Sequence, residues 1–275
     1  MAGTMVYRLR VADAEADHMG SFRNAVSQAE GISDNRGYNH IAGFHGAPDW
    51  YCWHHQFSPR TPLQARIFLP WHRAYLWWLE QSLQEIVQEP VALPWWDWTA
   101  EPGVPDAYAA PELNGEPNPL FKSRAFVPTA NPPIDADTQR DPGANPQAVL
   151  PSADEIIDLL NDSDWASFSD RLEQFHDDVH VWVGGDMQDI TTAAYDPIFF
   201  AHHCMVDRIW YLWQTQYGEE NIPGALKDLE LIPFGKRTSD VLSVQRLGYE
   251  YAAIATDIPI NGATDSSIGN GEIHG

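Results

Sequence analysis

Apolar residues recur at helical spacing along much of the chain. The stretch that begins at Leu69 has one apolar face, formed by Tyr75, Leu76, Leu79, Leu83, Ile86 and Val87. Apolar spacing and end signals also predict helices over 17–30, 36–46, 152–162, 164–183 and 196–218. Ser152, with Glu155 three residues later, predicts a capping box. We therefore expect a mainly α-helical domain built on a four-helix bundle, with long irregular loops.

The region 101–151 has a different character. It holds many of the chain's 21 prolines and has no apolar periodicity. A linker between two domains would look similar, but histidine groups on both sides favour one shared site. We therefore expect a long surface loop over a single domain that spans residues 1–275. The segment 256–275 is rich in glycine and serine, and we expect it to be loose or to lie along the surface.

Composition excludes several classes of protein. The net charge is −23, with 39 acidic against 16 basic residues, so we expect neither nucleic acid nor anionic lipid as a partner. No run approaches the ~20 apolar residues that a membrane span needs, and no secretory signal is visible. The only cysteines, Cys52 and Cys204, cannot form a disulfide framework or a cysteine-rich zinc site.

The histidines indicate a metal centre. His176 and His180 are four residues apart, so on a helix both rings can face one ion. The pair His202 and His203 on a later helix can supply a third imidazole. The first half offers a matching set of His45, His54 or His55, and His72. Two groups of three imidazoles suggest two ions, and such sets suit copper, zinc or iron, with binding strength favouring copper. Two ions about 3.5–4 Å apart could hold O2 between them.

Two other interpretations of these histidines fit the sequence less well. The zinc-protease pattern HExxH has a glutamate as general base after the first histidine, whereas this chain has the shorter Asp177. A single histidine on an apolar helix face is usually a packed core residue. Six histidines in two triplets, each beside tryptophan and phenylalanine, make that explanation improbable for the whole set.

The motifs resemble those of a known family. "FLPWHRAYLWWLEQSL" with "LPWWDWT" resembles the first copper signature of tyrosinases, catechol oxidases and molluscan haemocyanins. "HDDVHVWVGG" with "YDPIFFAHHCMVDRIWYLW" resembles the second, and "AGFHGAP" resembles the first ligand region. The resemblance spans roughly residues 17–217. It implies a copper A half at about 17–100 and a copper B half at 152–217, separated by the proline-rich loop 101–151.

The resemblance also implies two copper ions and their ligands. Copper A would be bound by His45, His54 and His72, and copper B by His176, His180 and His203. Cys52, two residues before His54, matches a cysteine that is cross-linked to the ligand ring through a thioether. The gap between His54 and His72 is longer than is usual in the family, which leaves His55 as an alternative ligand. His202 would be a packing or outer hydrogen-bonding residue.

Further roles follow from the same resemblance. Phe199 matches an aromatic residue over copper A that stacks on a substrate ring, and Glu173 matches a glutamate that orients a water able to take a phenolic proton. Asp177 and Val181, each after a ligand, match positions that line the entrance. For Phe199 and Glu173 an ordinary core residue and an ordinary exposed carboxylate are the alternatives. Arg73, Asp207 and Arg208 are expected to form hydrogen bonds to the metal-bound imidazoles.

The family resemblance implies oxidation of phenols and o-diphenols by O2 to o-quinones. The substrate would be a small phenol or catechol, and a copper-delivery helper protein is a further expected partner. The location of the protein stays open between the cytoplasm and export with such a helper. The alternatives are an o-aminophenol oxidase and a haemocyanin-like O2 carrier, which would use the same ligands.

Overall fold

The protein is mainly α-helical, which confirms the predicted fold class. The structure is a computed structural model, and it describes residues 5–52 and 64–252. The α-helices are α1 (Ala16–Glu30), α2 (Tyr38–Ala42), α3 (Phe68–Val87), α4 (Asp106–Ala109), α5 (Ala153–Leu160), α6 (Trp165–Val183), α7 (Ile198–Tyr217), α8 (Gly224–Lys227) and α9 (Val244–Leu247). The strands are β1 (Val6–Arg8), β2 (Glu112–Leu113), β3 (Glu116–Pro117), β4 (Arg124–Val127), β5 (Ile134–Asp137), β6 (Glu230–Leu231), β7 (Lys236–Arg237) and β8 (Tyr249–Tyr251).

Four long helices form the bundle that the apolar spacing predicts. Helix α3 packs against α1, α6 and α7, and α6 also packs against α7. Helices α3 and α7 are buried over most of their surface. Several buried polar residues on them are paired, among them Arg73 with Asp207. Fully buried tryptophans fill the space around these helices, namely Trp71, Trp95, Trp96, Trp98, Trp210 and Trp213. Each such side chain stabilises the fold by roughly 1.5–3 kcal/mol or more on the scale of large apolar residues. No described helix is both long enough and apolar enough to span a bilayer.

The helix start at Ser152 is as predicted. The Ser152 amide donates to Glu155 Oε2 at 2.8 Å, and the Glu155 amide donates back to Ser152 Oγ at 3.3 Å. Helix α6 begins at a second side-chain cap, in which Asp164 Oδ1 accepts from the Ser167 amide at 2.9 Å. Both caps satisfy amides that the first helical turn leaves without partners.

The predicted helix over 36–46 is wrong in length. Helix α2 ends at Ala42, and His45 lies beyond it in a turn. The reason is a close contact with another backbone segment: a Cβ on Gly46 would lie 2.3 Å from the Ile190 carbonyl oxygen. The next amide, that of Ala47, donates to the Thr191 carbonyl oxygen at 3.1 Å. Tertiary contact therefore replaces the helical hydrogen bonds here.

The region 101–151 is less irregular than predicted. Strands β4 and β5 pair in an antiparallel hairpin, with Ala125 and Val127 buried and Arg124 and Phe126 exposed. Only β5 alternates apolar and polar residues; in β4 the exposed position 126 is itself apolar, so the sequence of β4 does not show its alternating burial. The Asn39 side chain holds the hairpin against α2, with one hydrogen bond of 2.9 Å to each of the Phe126 amide and carbonyl.

A parallel strand pair, unpredicted from the sequence, joins the two ends of the described chain. Residues of β1 pair with those of β8, with Val6 opposite Tyr249 and Arg8 opposite Tyr251. The Arg8 side chain is fully buried and donates to Glu80 Oε2 on α3 at 2.9 Å. Its guanidinium carbon lies 3.5 Å from the centre of the Tyr249 ring. The strand pair is thereby attached to the bundle.

Candidate metal centre

Three imidazoles from two helices converge at one point in the bundle. His176 and His180 lie one turn apart on α6, and His203 lies on α7. The Nε2 atom of His203 is 3.3 Å from the Nε2 atom of His176 and also 3.3 Å from that of His180. All three side chains are buried, and His180 is the most exposed of them at 8%. We refer to these three residues as the B cluster.

The spacing of these nitrogens fits a metal ion. Imidazole nitrogens bound about 2.0–2.1 Å from one ion at tetrahedral angles lie roughly 3.3 Å apart. The two distances within the B cluster match that value. Three neutral imidazole nitrogens facing one another without a shared ion would oppose their lone pairs, so the arrangement favours a cation at their centre.

The Nδ1 atoms of His180, His176 and His72 lie beside acceptors outside the imidazole groups. His180 Nδ1 lies 2.6 Å from the Met187 carbonyl oxygen, and His176 Nδ1 lies 3.0 Å from Asp177 Oδ1. In the other half of the site, His72 Nδ1 lies 2.9 Å from the Phe68 carbonyl oxygen. These partners assign the proton to Nδ1 and leave the Nε2 lone pair directed inward, as metal binding requires.

Burial keeps these imidazoles neutral. It lowers the pKa of His176 well below its ordinary value, and the neighbouring His180 and His45 lower it further. Burial likewise lowers the pKa of His203, with His72 as the next cause. Histidines whose pKa lies below neutrality offer lone pairs to a metal at physiological pH without first losing a proton.

A second group lies beside the B cluster. It consists of His45, Cys52 and His72, all buried, and we refer to it as the A cluster. Cys52 Sγ lies 3.8 Å from His72 Nε2. His54 and His55 lie outside the described residues, and with them the predicted Cys52–His54 cross-link.

The two clusters are in direct contact. The rings of His72 and His203 stack with their centres 4.3 Å apart and an angle of 11° between their planes. Phe199, one turn before His203 on α7, has its ring centre 4.0 Å from that of His203 and 4.8 Å from that of His45. Phe199 is fully buried. It therefore lies between histidines of both clusters.

The remaining predicted residues lie on α6. Glu173, His176 and His180 share one helix face because they are three and four residues apart. Glu173, Asp177 and Val181 are partly exposed, in contrast to the buried histidines. The Asp177 side chain is 50% exposed and reaches His176, as described above.

The expected hydrogen bonds between imidazoles and Arg73 or Asp207 are wrong: Arg73 donates to Asp207 and to Gln214. Asp207 accepts from Arg73, Arg8, Tyr249 and Tyr251. The Arg208 guanidinium lies over the Trp95 ring, with its central carbon 4.2 Å from the ring centre. The acceptors that do hold imidazoles include the backbone carbonyls of Phe68 and Met187. A backbone acceptor has no side-chain signal, so the sequence could not have identified them.

His202 lies beside the three histidines of the B cluster. Its donor atom lies within 4.8 Å of those of the three B-cluster histidines, and its side chain is fully buried. The sequence predicted an outer or packing position, which no observation contradicts. The proximity to all three donors was not predicted.

Comparison with known proteins agrees with this geometry. Residues 35–216 match the family model of the common central domain of tyrosinase. The tyrosinase of Streptomyces glaucescens is 34% identical over 192 residues, which cover 60% of this chain and 69% of that protein. A haemocyanin of Enteroctopus dofleini, G-type, is 30% identical over 250 residues. That match covers 81% of this chain but only 8% of the haemocyanin, so the chain spans a small part of that relative.

Solved structures show the same fold. The tyrosinase from Burkholderia thailandensis superposes with a TM-score of 0.75 and is 22% identical, over 92% of this chain and 75% of that one. An identity this low supports the fold alone. The family model, in contrast, matches well over half of the chain and includes the residues of both clusters from His45 to His203. The chain belongs to the tyrosinase family of type 3 copper proteins.

Proposed function

We propose that this protein binds two copper ions and oxidises phenols and o-diphenols with O2 to o-quinones. In the catechol reaction, two catechols and one O2 give two o-quinones and two waters. The copper pair supplies the redox chemistry when it is bound. His176, His180 and His203 would hold one ion, and His45 and His72 with His54 would hold the other.

One observation supports this proposal most directly: side chains of the A cluster and the B cluster are in contact. The His72 and His203 rings are stacked, and Phe199 contacts a histidine of each cluster, His45 and His203. Two separate structural metal sites would need no such contact. A pair of ions in these clusters would be close neighbours, as a reaction that moves two electrons at once requires.

The site would open toward α6. Among the described histidines of the two clusters, His180 is the most exposed, at 8%, and Asp177 and Val181 lie on the same helix and are partly exposed. A flat phenol entering on this side would meet the edge of Phe199, whose ring is fixed by the histidines around it. Phe199 would thereby orient both the imidazoles and the substrate ring.

The two carboxylates of α6 would have different tasks. Asp177 Oδ1 lies 3.0 Å from His176 Nδ1, so we assign it to fixing the orientation of that ring. Glu173 shares the face of His176 and His180 and is partly exposed. We assign Glu173 to accepting the phenolic proton, directly or through a water.

A haemocyanin-like O2 carrier is the second candidate, and the identity to a haemocyanin supports it. An o-aminophenol oxidase is the third.

Copper-loaded protein should be assayed with tyrosine, a catechol and an o-aminophenol, with His176→Ala as the matched inactive variant. Quinone formation from the catechol supports the proposal. Reversible O2 uptake with no turnover of any of the three would overturn it in favour of a carrier.

A further inference from the structure

A fourth histidine, His202, lies next to the three histidines of the B cluster, although three are enough to hold an ion. His202 is fully buried on α7, next to His203 in the chain. Its ring centre lies 4.9 Å from that of His180, 5.1 Å from that of His203 and 5.2 Å from that of His176. It is thus about equally close to every ring of the cluster.

The orientation of the ring is also defined. The His202 ring is nearly parallel to that of His176, with 14° between the planes, and nearly perpendicular to that of His180, at 86°. One of its nitrogens lies within 4.8 Å of the donor atoms of the other three. A bound ion would sit about 2 Å from those donors, so a shift of a few ångströms would bring the His202 nitrogen within reach of it.

The polar surroundings of His202 do not explain its presence. Neither ring nitrogen makes a hydrogen bond to any described residue. The backbone of His176 is near enough to raise the pKa of His202, but burial has the larger and opposite effect. Among the residues that the structure describes, its other ring neighbour is Trp98, with the ring centres 6.4 Å apart. An imidazole buried without hydrogen bonds costs free energy that a leucine or phenylalanine of similar size would avoid.

We propose that His202 is a reserve donor for the B-cluster ion, able to take the place of a detached ligand. This inference rests on the proposed function, because it requires that the B cluster holds copper. His180 is the ligand it would most readily replace: it is the ring nearest to His202 and the most exposed of the three. The reserve donor would keep the ion bound while His180 moves.

The test is the copper content of full-length variants, measured by elemental analysis after dialysis against copper buffers. We compare the unmodified protein, His180→Ala, His202→Leu and the double variant. In His180→Ala, His202 would bind the ion directly, so its loss should weaken binding at least as much as the roughly 10–100-fold that the loss of an outer partner costs. We therefore expect His180→Ala to bind the second copper more tightly than the double variant by at least about tenfold. His202→Leu alone should still bind two coppers per chain.

Measurements on the unmodified protein distinguish failure of the proposed function from failure of the reserve role alone. If it binds fewer than two coppers, the proposed function fails and the reserve role fails with it. If it binds two coppers and oxidises catechol, but His180→Ala and the double variant have the same copper affinity, only the reserve role is overturned. Circular dichroism of the four proteins shows whether each is folded. For a variant that is not, His180→Gln replaces His180→Ala in the same comparison.

Discussion

Arg73 Nε donates to Asp207 Oδ1 at 2.5 Å, and both side chains are buried. Arg73 directly follows His72 on α3, and Asp207 lies one turn after His203 on α7. The ion pair therefore joins the two helices next to the point where the His72 and His203 rings stack. A relative slide of α3 and α7 would break both contacts together, so the pair fixes the position of one cluster relative to the other.

Removing the charge of Asp207 should destabilise the fold strongly. In Asp207→Asn, the buried guanidinium groups of Arg73 and Arg8 lose their shared carboxylate. Breaking a buried pair on one side costs about 3–5 kcal/mol, and we expect that loss in urea unfolding. Asp13→Asn is the control, because its pair with Arg10 is partly exposed and should contribute less than about 1 kcal/mol. Equal effects of the two variants would contradict this explanation.

Arg140 should hold the proline-rich loop to the start of α7. It forms hydrogen bonds to both carboxylate oxygens of Asp196 and to the carbonyl oxygens of Tyr108 and Leu120. We expect Arg140→Ala to make the loop susceptible to limited proteolysis and to lower the melting temperature, because Asp196 is left buried without its cation. Lys122→Ala is the control, since its pair with Asp137 is half exposed. The loop should remain resistant to protease in that variant.

Asp177 should affect copper binding through His176. In Asp177→Ala, the carboxylate that accepts from His176 Nδ1 is lost, and we expect copper affinity at the B cluster to fall about 10–100-fold. Asp177→Asn keeps a carbonyl oxygen that can accept the same hydrogen bond, so its affinity should fall much less. Titration with copper under a competing chelator measures both. The assignment would be wrong if alanine and asparagine weakened binding equally.

Glu173 should affect turnover and not copper content. Glu173→Gln removes the proposed proton acceptor, and general-base catalysis contributes roughly 10²–10⁴-fold, so kcat for a catechol should fall by that order. Asp170→Asn on the same helix is the matched control, since the Asp170 carboxylate is largely exposed and pairs only loosely with Arg66. A Glu173→Gln variant with normal kcat and two coppers would exclude this role.

The copper-free protein should lose stability as the pH falls. Burial lowers the folded-state pKa of His45, His72, His176, His180, His202 and His203. Below about pH 6.5 the unfolded chain takes up protons that the folded chain does not, so each histidine removes up to about 1.4 kcal/mol per pH unit. Their contribution is thus complete above about pH 6.5 and declines below it. Urea unfolding at pH 7.5 and 5.5 measures the decline.

His202→Leu is the control for this pH dependence. It has one fewer buried imidazole, so its stability should fall less steeply with decreasing pH than that of the unmodified copper-free protein. Other titrating groups are common to both proteins and cancel in the difference. Identical slopes would show that His202 is not held neutral in the folded state.

Sequence patterns predicted the features that depend on residues only a few positions apart in the chain. Apolar spacing located α1, α3, α6 and α7 to within a few residues, and the Ser152 cap depends on atoms three residues apart. The pairing of His176 with His180 follows from helix geometry alone. The choice of His203 came from the family motif, and the structure places its Nε2 atom against those two rings.

The contacts that the sequence did not predict are distant along the chain. Arg8 and Asp207 are 199 residues apart, and Arg140 and Asp196 are 56 apart. Each is an ordinary charged residue until the fold removes it from water, so no local pattern distinguishes it from a surface charge. The early end of α2 has the same origin, because it is set by the backbone at Ile190 and Thr191.

The Nδ1 atoms of His72 and His180 face main-chain carbonyl oxygens, at Phe68 and Met187. Every amino acid carries that oxygen, so a point mutation at either position changes the side chain and leaves the acceptor in place. Substitutions at positions 68 and 187 therefore leave in place the acceptors that orient these two imidazoles. Only insertions, deletions or a different path of the chain would remove them, whereas the Asp177 carboxylate beside His176 Nδ1 belongs to a side chain that a point mutation can delete.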